Sequence, residues 1–391
     1  MIRLPSFLFK NYNAVFVLYG ILVIAMSVQI LLLSKIQLEP NGPWYTKYGN
    51  YVIFKQSYFH LIHQQDLYAW YLKEQWDLFK YSPAFALFFG LFAYLPDAVG
   101  LTLWNLLNAF CIAIAIRQLP LLDSRAKISI LLFIFIELSI SLQNVQSNAL
   151  VAGLLILAFV RLEKGHYFLA ALFITLTVFI KIFGVLAFVL FLFYPGKGKL
   201  MAYTAVCFAT MALLPWVIIS FDQLKFLYTS WFHLLLNDHS APMYLSVMGW
   251  LTTWFHLTID KNQVILTGLM IFTLPFLRWN RYDERSFRLL MLCSILLWIV
   301  IFNHRAESPT FIIAMAGVGI WYFAKSRNTV DLLLATMAFI FTSLSRTDIF
   351  PLGIQKDFFD AYSIKVVPCI LVWGKLIIDT LLEKKEIAHE V

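Results

Sequence analysis

Residues 143–194 read QNVQSNALVAGLLILAFVRLEKGHYFLAALFITLTVFIKIFGVLAFVLFLFY. A polar hexapeptide, an apolar run, a basic turn and a second apolar run follow one another. As a single helix, the run 167–194 would be about 42 Å long at 1.5 Å per residue. That is well past a hydrocarbon core of about 30 Å. It is also interrupted by Lys181. An unpaired cation at mid-membrane costs about 2.5–3.5 kcal/mol on insertion scales, so Lys181 needs a partner or an anion. Two short helices, 167–181 and 183–195, meeting at Lys181, fit better than one. Helices this short stop inside the membrane at a polar cavity, because irregular backbone is tolerated there only when buried or wet. Gln143–Asn148 and Lys181 are then expected to face one extracytoplasmic cavity.

Composition agrees. Of 391 residues, 61% are apolar and only 13% charged, against roughly 45–50% and 25% in soluble domains. The mean hydropathy is +0.77. This excludes a disordered chain, a collagen-like chain, a disulfide scaffold and a soluble enzyme. Long continuous apolar runs mean helices, since barrel strands alternate over about ten residues. The fold class is all-α, a polytopic membrane protein forming one integral domain over 1–391. The four cysteines all sit in apolar runs without a CxxC pair and read as small hydrophobes.

The net charge of +8 reads as topology rather than nucleic-acid binding. Basic clusters recur at Arg3/Lys10, Arg117/Arg125/Lys127, Arg161/Lys164, Lys197/Lys199, Arg278/Arg281/Arg285/Arg288, Lys325/Arg327 and Lys384/Lys385. Placed on the cytoplasmic side facing anionic lipid, they set about 12 spans: 13–34, 98–117, 128–143, 148–162, 167–181, 183–195, 200–220, 262–279, 287–302, 309–324, 329–345 and 361–382. The first is uncleaved, and both termini are cytoplasmic. Residues 128–142 would reach only about 23 Å, another short span.

Two extracytoplasmic loops are large, 35–97 and 221–261. In the first, 50–64 is expected to be an amphipathic helix on the membrane, with Phe54, Tyr58, Leu61 and Ile62 on one face and Gln56, His60 and His63 opposite. Ser82-Pro83 reads as the N-cap and first position of a second short helix. In the second loop, Leu224, Leu227, Trp231 and Leu235 form a stripe, NDHS (237–240) breaks it, and 242–257 is a further apolar segment.

Residues suited to chemistry lie on the outer side. Asp77, Lys80 and Tyr81 precede the Ser82-Pro83 start; a carboxylate and an ammonium three residues apart can serve a hydroxyl and a phosphate, or form an interfacial ion pair. Gln143, Asn144, Gln146 and Asn148 can hydrogen-bond a sugar or cap a helix hairpin. Asn303, His304, Arg305 and Glu307 offer a phosphate clamp and a carboxylate. Arg346 and Asp348 add a further pair, and Glu137 is a carboxylate within a span. No phosphate loop, GxGxxG, HExxH, GxSxG or Asp-x-Asp occurs. His60 and His63 lack further ligands, so no metal and no cofactor is expected. A lipid monophosphate donor needs only Lys, Arg and His, whereas nucleotide-sugar enzymes often hold a metal on an Asp-x-Asp pair.

In order, HLIHQQDLY (60–68), KYSPAFALFFGLFAYLP (80–96), LWNLLNAF (103–110), QNVQSNALVAGLLILAF (143–159) and Lys181 resemble glycosyltransferase family 87. The resemblance implies the C-type glycosyltransferase fold and an inverting transferase at the outer face of a bacterial cytoplasmic membrane. The implied donor is a polyprenyl-phosphate monosaccharide, mannose-like or similar, and the acceptor is lipid- or glycan-linked. Asn50 stands where the family usually has an aspartate taken as the base, and an amide cannot serve as one. Asp77 is the first candidate to replace it and Glu307 the second. Asn50, Lys80, Tyr81, Gln143, Asn144, Asn148, Lys181, Asn303, His304, Arg305 and Asp348 are the candidate binding residues. Two other readings stand beside this one: a transporter or flippase of a lipid-linked sugar, and an inactive scaffold of an envelope-glycan complex.

Overall fold

The computed structural model describes residues 11–38, 40, 42–237, 245–257, 259–324 and 328–382. The basic residues Arg3, Lys10, Lys325, Arg327, Lys384 and Lys385, and positions 238–240, lie outside them. The helices are α1 (Tyr12–Leu32), α2 (Gly49–Ile62), α3 (Pro83–Ala93), α4 (Asp97–Gln118), α5 (Ser124–Phe133), α6 (Phe135–Gln143), α7 (Asn148–Glu163), α8 (Tyr167–Ile180), α9 (Lys197–Leu213), α10 (Phe221–Asn237), α11 (Val247–Phe255), α12 (Lys261–Thr273), α13 (Arg285–Ile301), α14 (Phe311–Phe323), α15 (Thr329–Met337), α16 (Leu352–Ile354) and α17 (Val367–Leu382). A 3₁₀ helix, Ile182–Phe193, joins α8 to α9. Two antiparallel two-residue strands, Ile36–Gln37 and Trp44–Tyr45, are the described strands. The all-α class holds.

Helices α7, α13 and α14 are buried almost throughout and form the centre. Gly153 lets α7 approach α4, since a Cβ there would stand 2.7 Å from Cys111 Sγ. The outer helices turn apolar stripes outward: Val17, Ile21, Ile24, Val28 and Leu32 on α1, Met201, Val206 and Leu213 on α9, and Leu371, Ile378 and Leu382 on α17. Stripes of this kind face lipid, not water. Among the described residues, three helices are long and apolar enough to cross a membrane, or up to five if each of two bent pairs counts as one span.

One bent pair corrects the expected short span at 128–143. Asp123 caps Ala126 N, so the helix starts at Ser124 and then bends by 45° at Ile134 into α6. The other pair, Leu352–Asp360 and Ile364–Leu382, bends by 71°, with Ser363 between them at φ 51°. The break at Lys181 is where the composition placed it. Helix α8 reaches about 21 Å, and the 3₁₀ helix, at about 2 Å per residue, returns about 24 Å. The turn is tight, because a Cβ on Gly184 would lie 2.3 Å from Thr177 Oγ1.

The basic turns gather at one end. Arg288 donates to both Glu163 oxygens at 2.6 and 3.1 Å, and Tyr194 OH donates to Glu163 at 2.6 Å. Arg161 donates to Gln118, and Arg278 to the Leu381 carbonyl. Arg281 and Arg288 are therefore buried in ion pairs and do not face lipid as their clustering suggested.

Helix α2 also departs from expectation. Phe54 and Leu61 are buried, but so are Tyr51, Ser57 and His60. His60, expected on the polar face, is bonded to Glu74 at 3.0 Å and stacked on Tyr71 with centroids 3.8 Å apart. The segment packs against α3, so its buried face is wider than the expected stripe. In α10 the stripe Leu224, Leu227 and Trp231 packs inward as read, and Leu235 is half-buried.

Candidate active site

Helix α6 ends at Gln143 and α7 begins at Asn148, so the polar hexapeptide is the turn between them. Three side chains of α4 hold it. Trp104 Nε1 donates to the Val145 carbonyl at 3.2 Å, Asn105 Nδ2 to the Leu142 carbonyl at 3.3 Å, and Asn108 Oδ1 accepts from Leu150 N at 3.0 Å. Val145 stands at φ 52°, a strained conformation for a β-branched residue. The LWNLLNAF segment thus acts as a bracket that fixes where the turn's amides point.

Two of those amides point at Lys181. The ammonium donates to Asn148 Oδ1 at 2.7 Å and to Gln146 Oε1 at 3.5 Å. Asn148 Nδ2 donates to Gln146 Oε1 at 2.7 Å and to the Pro309 carbonyl at 3.0 Å. Gln146 Nε2 donates to Glu307 Oε2 at 2.6 Å. A chain from Lys181 through two amides to Glu307 joins three segments far apart in sequence. The Glu307 charge also acts on the Lys181 ammonium.

The 303–310 segment folds on itself before it reaches this chain. Asn303 Oδ1 accepts from Arg305 N at 3.0 Å, and Arg305 Nε donates to His304 Nε2 at 3.1 Å. Burial first, and then the Lys261 charge, push the His304 imidazole below its ordinary 6.5. Its Nε2 is an acceptor and its ring neutral. Burial also lowers the Arg305 guanidinium, an effect the nearby Asp77 charge opposes.

The fourth segment is 75–83. Ser82 caps Phe85 N as its sequence suggested, and its hydroxyl also donates to the Phe179 carbonyl at 2.6 Å. That bond ties the start of α3 to the end of α8, next to Lys181. Asp77 Oδ2 accepts from Lys80 at 3.1 Å and Asp77 Oδ1 from Leu78 N at 2.7 Å. Tyr81 OH lies 3.4 Å from Ser147 Oγ. Burial drives the Tyr81 hydroxyl well above its ordinary range, and the Glu307 and Asp77 charges add to that. Both carboxylate charges therefore act on Tyr81.

The structure brings together Asp77, Lys80, Tyr81, Gln146, Asn148, Lys181, Arg305 and Glu307, with His304 on Arg305. It does not bring in every candidate. Gln143 donates to Gln29 of α1 at 3.2 Å, and Asn144 Nδ2 to the Ile140 carbonyl at 2.8 Å. Asn50 Nδ2 donates to the Asn144 carbonyl at 2.9 Å, so it borders the turn from the α1–α2 side. Asn303 shapes its own loop. Asp348 is exposed, and Arg346 pairs with Asp360 at 2.6 Å instead. Glu137 is tied to Lys365 at 2.6 Å. Composition alone missed two anchors. Tyr68 OH donates to the Tyr81 carbonyl, and Trp231 Nε1 to the Lys80 carbonyl. Trp231 stood in the inward stripe of α10, where an indole N–H in an apolar face was the available signal.

A cavity of about 330 Å³ adjoins the cluster. Its walls are apolar side chains of α3, α4, α7, α8 and α9 with Leu214, among them Phe85, Leu107, Leu154, Leu176, Phe179 and Ile180. Phe179 and Ile180 run directly into Lys181, and Phe85 is the residue capped by Ser82. The charged cluster thus begins one residue beyond the wall of the apolar space.

The profile of glycosyltransferase family 87 matches residues 79–303. Lys80, Tyr81, Gln146, Asn148 and Lys181 fall inside the match; Asn50, Asp77 and Glu307 fall outside it. Among curated proteins no match is found. The match spans more than half of the sequence and carries the α3 start, the bracketed turn and the Lys181 break, and the chain belongs to glycosyltransferase family 87.

Proposed function

We propose that this membrane glycosyltransferase moves a monosaccharide, a mannose-like hexose, from a polyprenyl phosphate to a lipid- or glycan-linked acceptor. The observation that carries the reading is an apolar cavity whose wall residues Phe179 and Ile180 run directly into Lys181, where the Lys181–Glu307 chain begins. A sugar phosphate on an isoprenoid tail has one strongly polar end and one apolar end, and needs both surfaces side by side.

In this reading the tail lies in the cavity against Leu107, Leu154 and Leu176. The phosphate sits at Lys181 with Lys80, His304 and Arg305 nearby. The sugar occupies the space by Tyr81 and the turn amides. The acceptor oxygen attacks the anomeric carbon in line and inverts it. As the bond to phosphate breaks, its electron pair leaves with the phosphate oxygen, and the clamp stabilises the second negative charge that forms there. The acceptor proton passes to a carboxylate, for which the site offers Asp77 and Glu307. The site lies at the outer face of a bacterial cytoplasmic membrane. Counting the short helices as crossings gives about 12, with the basic turns and both termini inside.

Sugar transfer in proteoliposomes tests this. Purified protein receives a panel of polyprenyl-phosphate hexoses, including the mannosyl form, with a lipid extract as acceptor. The wild type turns over one of them. Leu176→Trp, which fills the cavity, raises KM for a long-chain donor more than for its three-isoprene analogue. Transfer from no donor by folded protein, or an equal effect of Leu176→Trp on both chain lengths, contradicts the reading.

A further inference from the structure

Transfer to a hydroxyl needs a group that can take a proton, and the hydrogen bonds around the cluster sort the candidates. Asp77 has both oxygens engaged, Oδ1 by Leu78 N and Oδ2 by Lys80. His304 accepts at Nε2 from Arg305, so its one proton sits on Nδ1 and neither nitrogen is free to accept. Asn50 is an amide whose nitrogen is committed to the Asn144 carbonyl. In the outer loop, Glu74 is bonded to His60, and Asp97 to Lys55 and Tyr48.

Glu307 differs from all of these. Lys181 and Asn148 both donate to Gln146 Oε1, which fixes the orientation of that amide and turns Nε2 toward Glu307. Glu307 Oε2 is therefore the acceptor in this bond. Its other oxygen, Oε1, has no protein partner among the described residues, and the side chain is only partly buried. One oxygen anchors the carboxylate while the other is open to the site.

We propose that Glu307 is the general base, resting on the transfer reaction proposed above. Glu307 Oε1 takes the acceptor hydroxyl proton as that oxygen bonds to the anomeric carbon. The carbon–phosphate-oxygen bond breaks, and polyprenyl phosphate leaves with the electron pair. Glu307 later returns the proton to water. The amide chain sets the base at a fixed place relative to Lys181, so proton acceptance and phosphate stabilisation are held in one frame. Position 50 can then be an amide at no cost to the reaction, since its bond to the Asn144 carbonyl needs a donor, which a carboxylate would lack.

The test uses a second nucleophile. Azide is already an anion at neutral pH and can attack the anomeric carbon without losing a proton. Reconstituted wild type, Glu307→Gln, Glu307→Asp and Asp77→Asn are given the polyprenyl-phosphate hexose that the wild type turns over, with lipid acceptor or with sodium azide. Glu307→Gln is expected to lose lipid transfer by about 10²–10⁴-fold yet still form the glycosyl azide at close to the wild-type rate. Glu307→Asp, with a base one methylene short, falls between. Asp77→Asn slows both products together. Glu307→Gln losing both products equally, or keeping lipid transfer within tenfold, overturns the assignment; so does the azide-sparing pattern in Asp77→Asn. A wild type that makes neither product from any donor overturns the transfer reading itself.

Discussion

The Glu137–Lys365 pair and the Lys181–Glu307 chain each tie distant segments together, and they differ in what they leave open. Glu137 and Lys365 are 0% and 2% exposed and lie 2.6 Å apart, joining α6 to the start of the last helix. Glu137 Oε2 is unbonded but sealed from any ligand. Lys181 and Glu307 are joined through Asn148 and Gln146, Lys181 follows directly on the cavity residues Phe179 and Ile180, and Glu307 Oε1 is left without a partner among the described residues. A charge inside the membrane is therefore not enough to mark an active site. An open, oriented valence beside space for a ligand is the more telling sign. The closed pair does a different task. It sits at the 45° bend of α5–α6 and the 71° bend before α17 and latches the two broken helices together.

The largest effect should come from breaking the closed pair on one side only. Lys365→Met strands Glu137 in the core and should cost about 3–5 kcal/mol, read as a fall in thermal unfolding temperature in detergent. The double variant Glu137→Gln/Lys365→Met should recover most of it. No recovery would mean that the pair is not the latch described.

Next in size is the open chain. Lys181→Met should reduce transfer by about 10²–10³-fold, as for loss of one group stabilising a developing oxyanion, with little change in unfolding temperature. A large loss of stability instead would make Lys181 a structural residue like Lys365 and erase the contrast.

The bracket offers a smaller test that sharpens the comparison. Trp104→Phe keeps the ring packing but leaves the buried Val145 carbonyl without its donor, at about 1–3 kcal/mol. Because that carbonyl belongs to the turn carrying Gln146, kcat should fall along with stability. A drop in stability alone would show that the turn holds its amides without α4.

The mildest prediction concerns pH. His304 is held below its ordinary 6.5 by burial and Lys261, so the unfolded chain binds the proton more readily. Stability from this residue is complete above about 6.5 and declines as pH falls below it. His304→Gln should flatten part of that acid decline in a thermal-unfolding series; an unchanged slope would show that the ring is not desolvated.

Much of this contrast was legible from residue order. The break at Lys181 followed from length arithmetic, the α3 start from Ser82-Pro83, and the candidate cluster from polar residues gathered in short segments. What composition could not supply is which polar residues turn inward. Gln143 and Gln146 are three apart in one polar run, yet one meets Gln29 and the other Glu307. That choice is made by Trp104 and Asn108 on another helix, and by the left-handed Val145 between the two glutamines. The bend at Ile134 has no proline or glycine of its own, and the Glu137–Lys365 pair lies three residues beyond it. His60 looked polar by periodicity and is buried because Glu74 and Tyr71 receive it.

The measurement that bears most directly on the account is sugar transfer from polyprenyl-phosphate hexoses in proteoliposomes, comparing wild type with Lys181→Met. The account predicts transfer by the wild type from at least one such donor, and at least a hundredfold less by a variant that is equally well folded. Equal transfer by both proteins, or none from any donor by folded wild type, would contradict it.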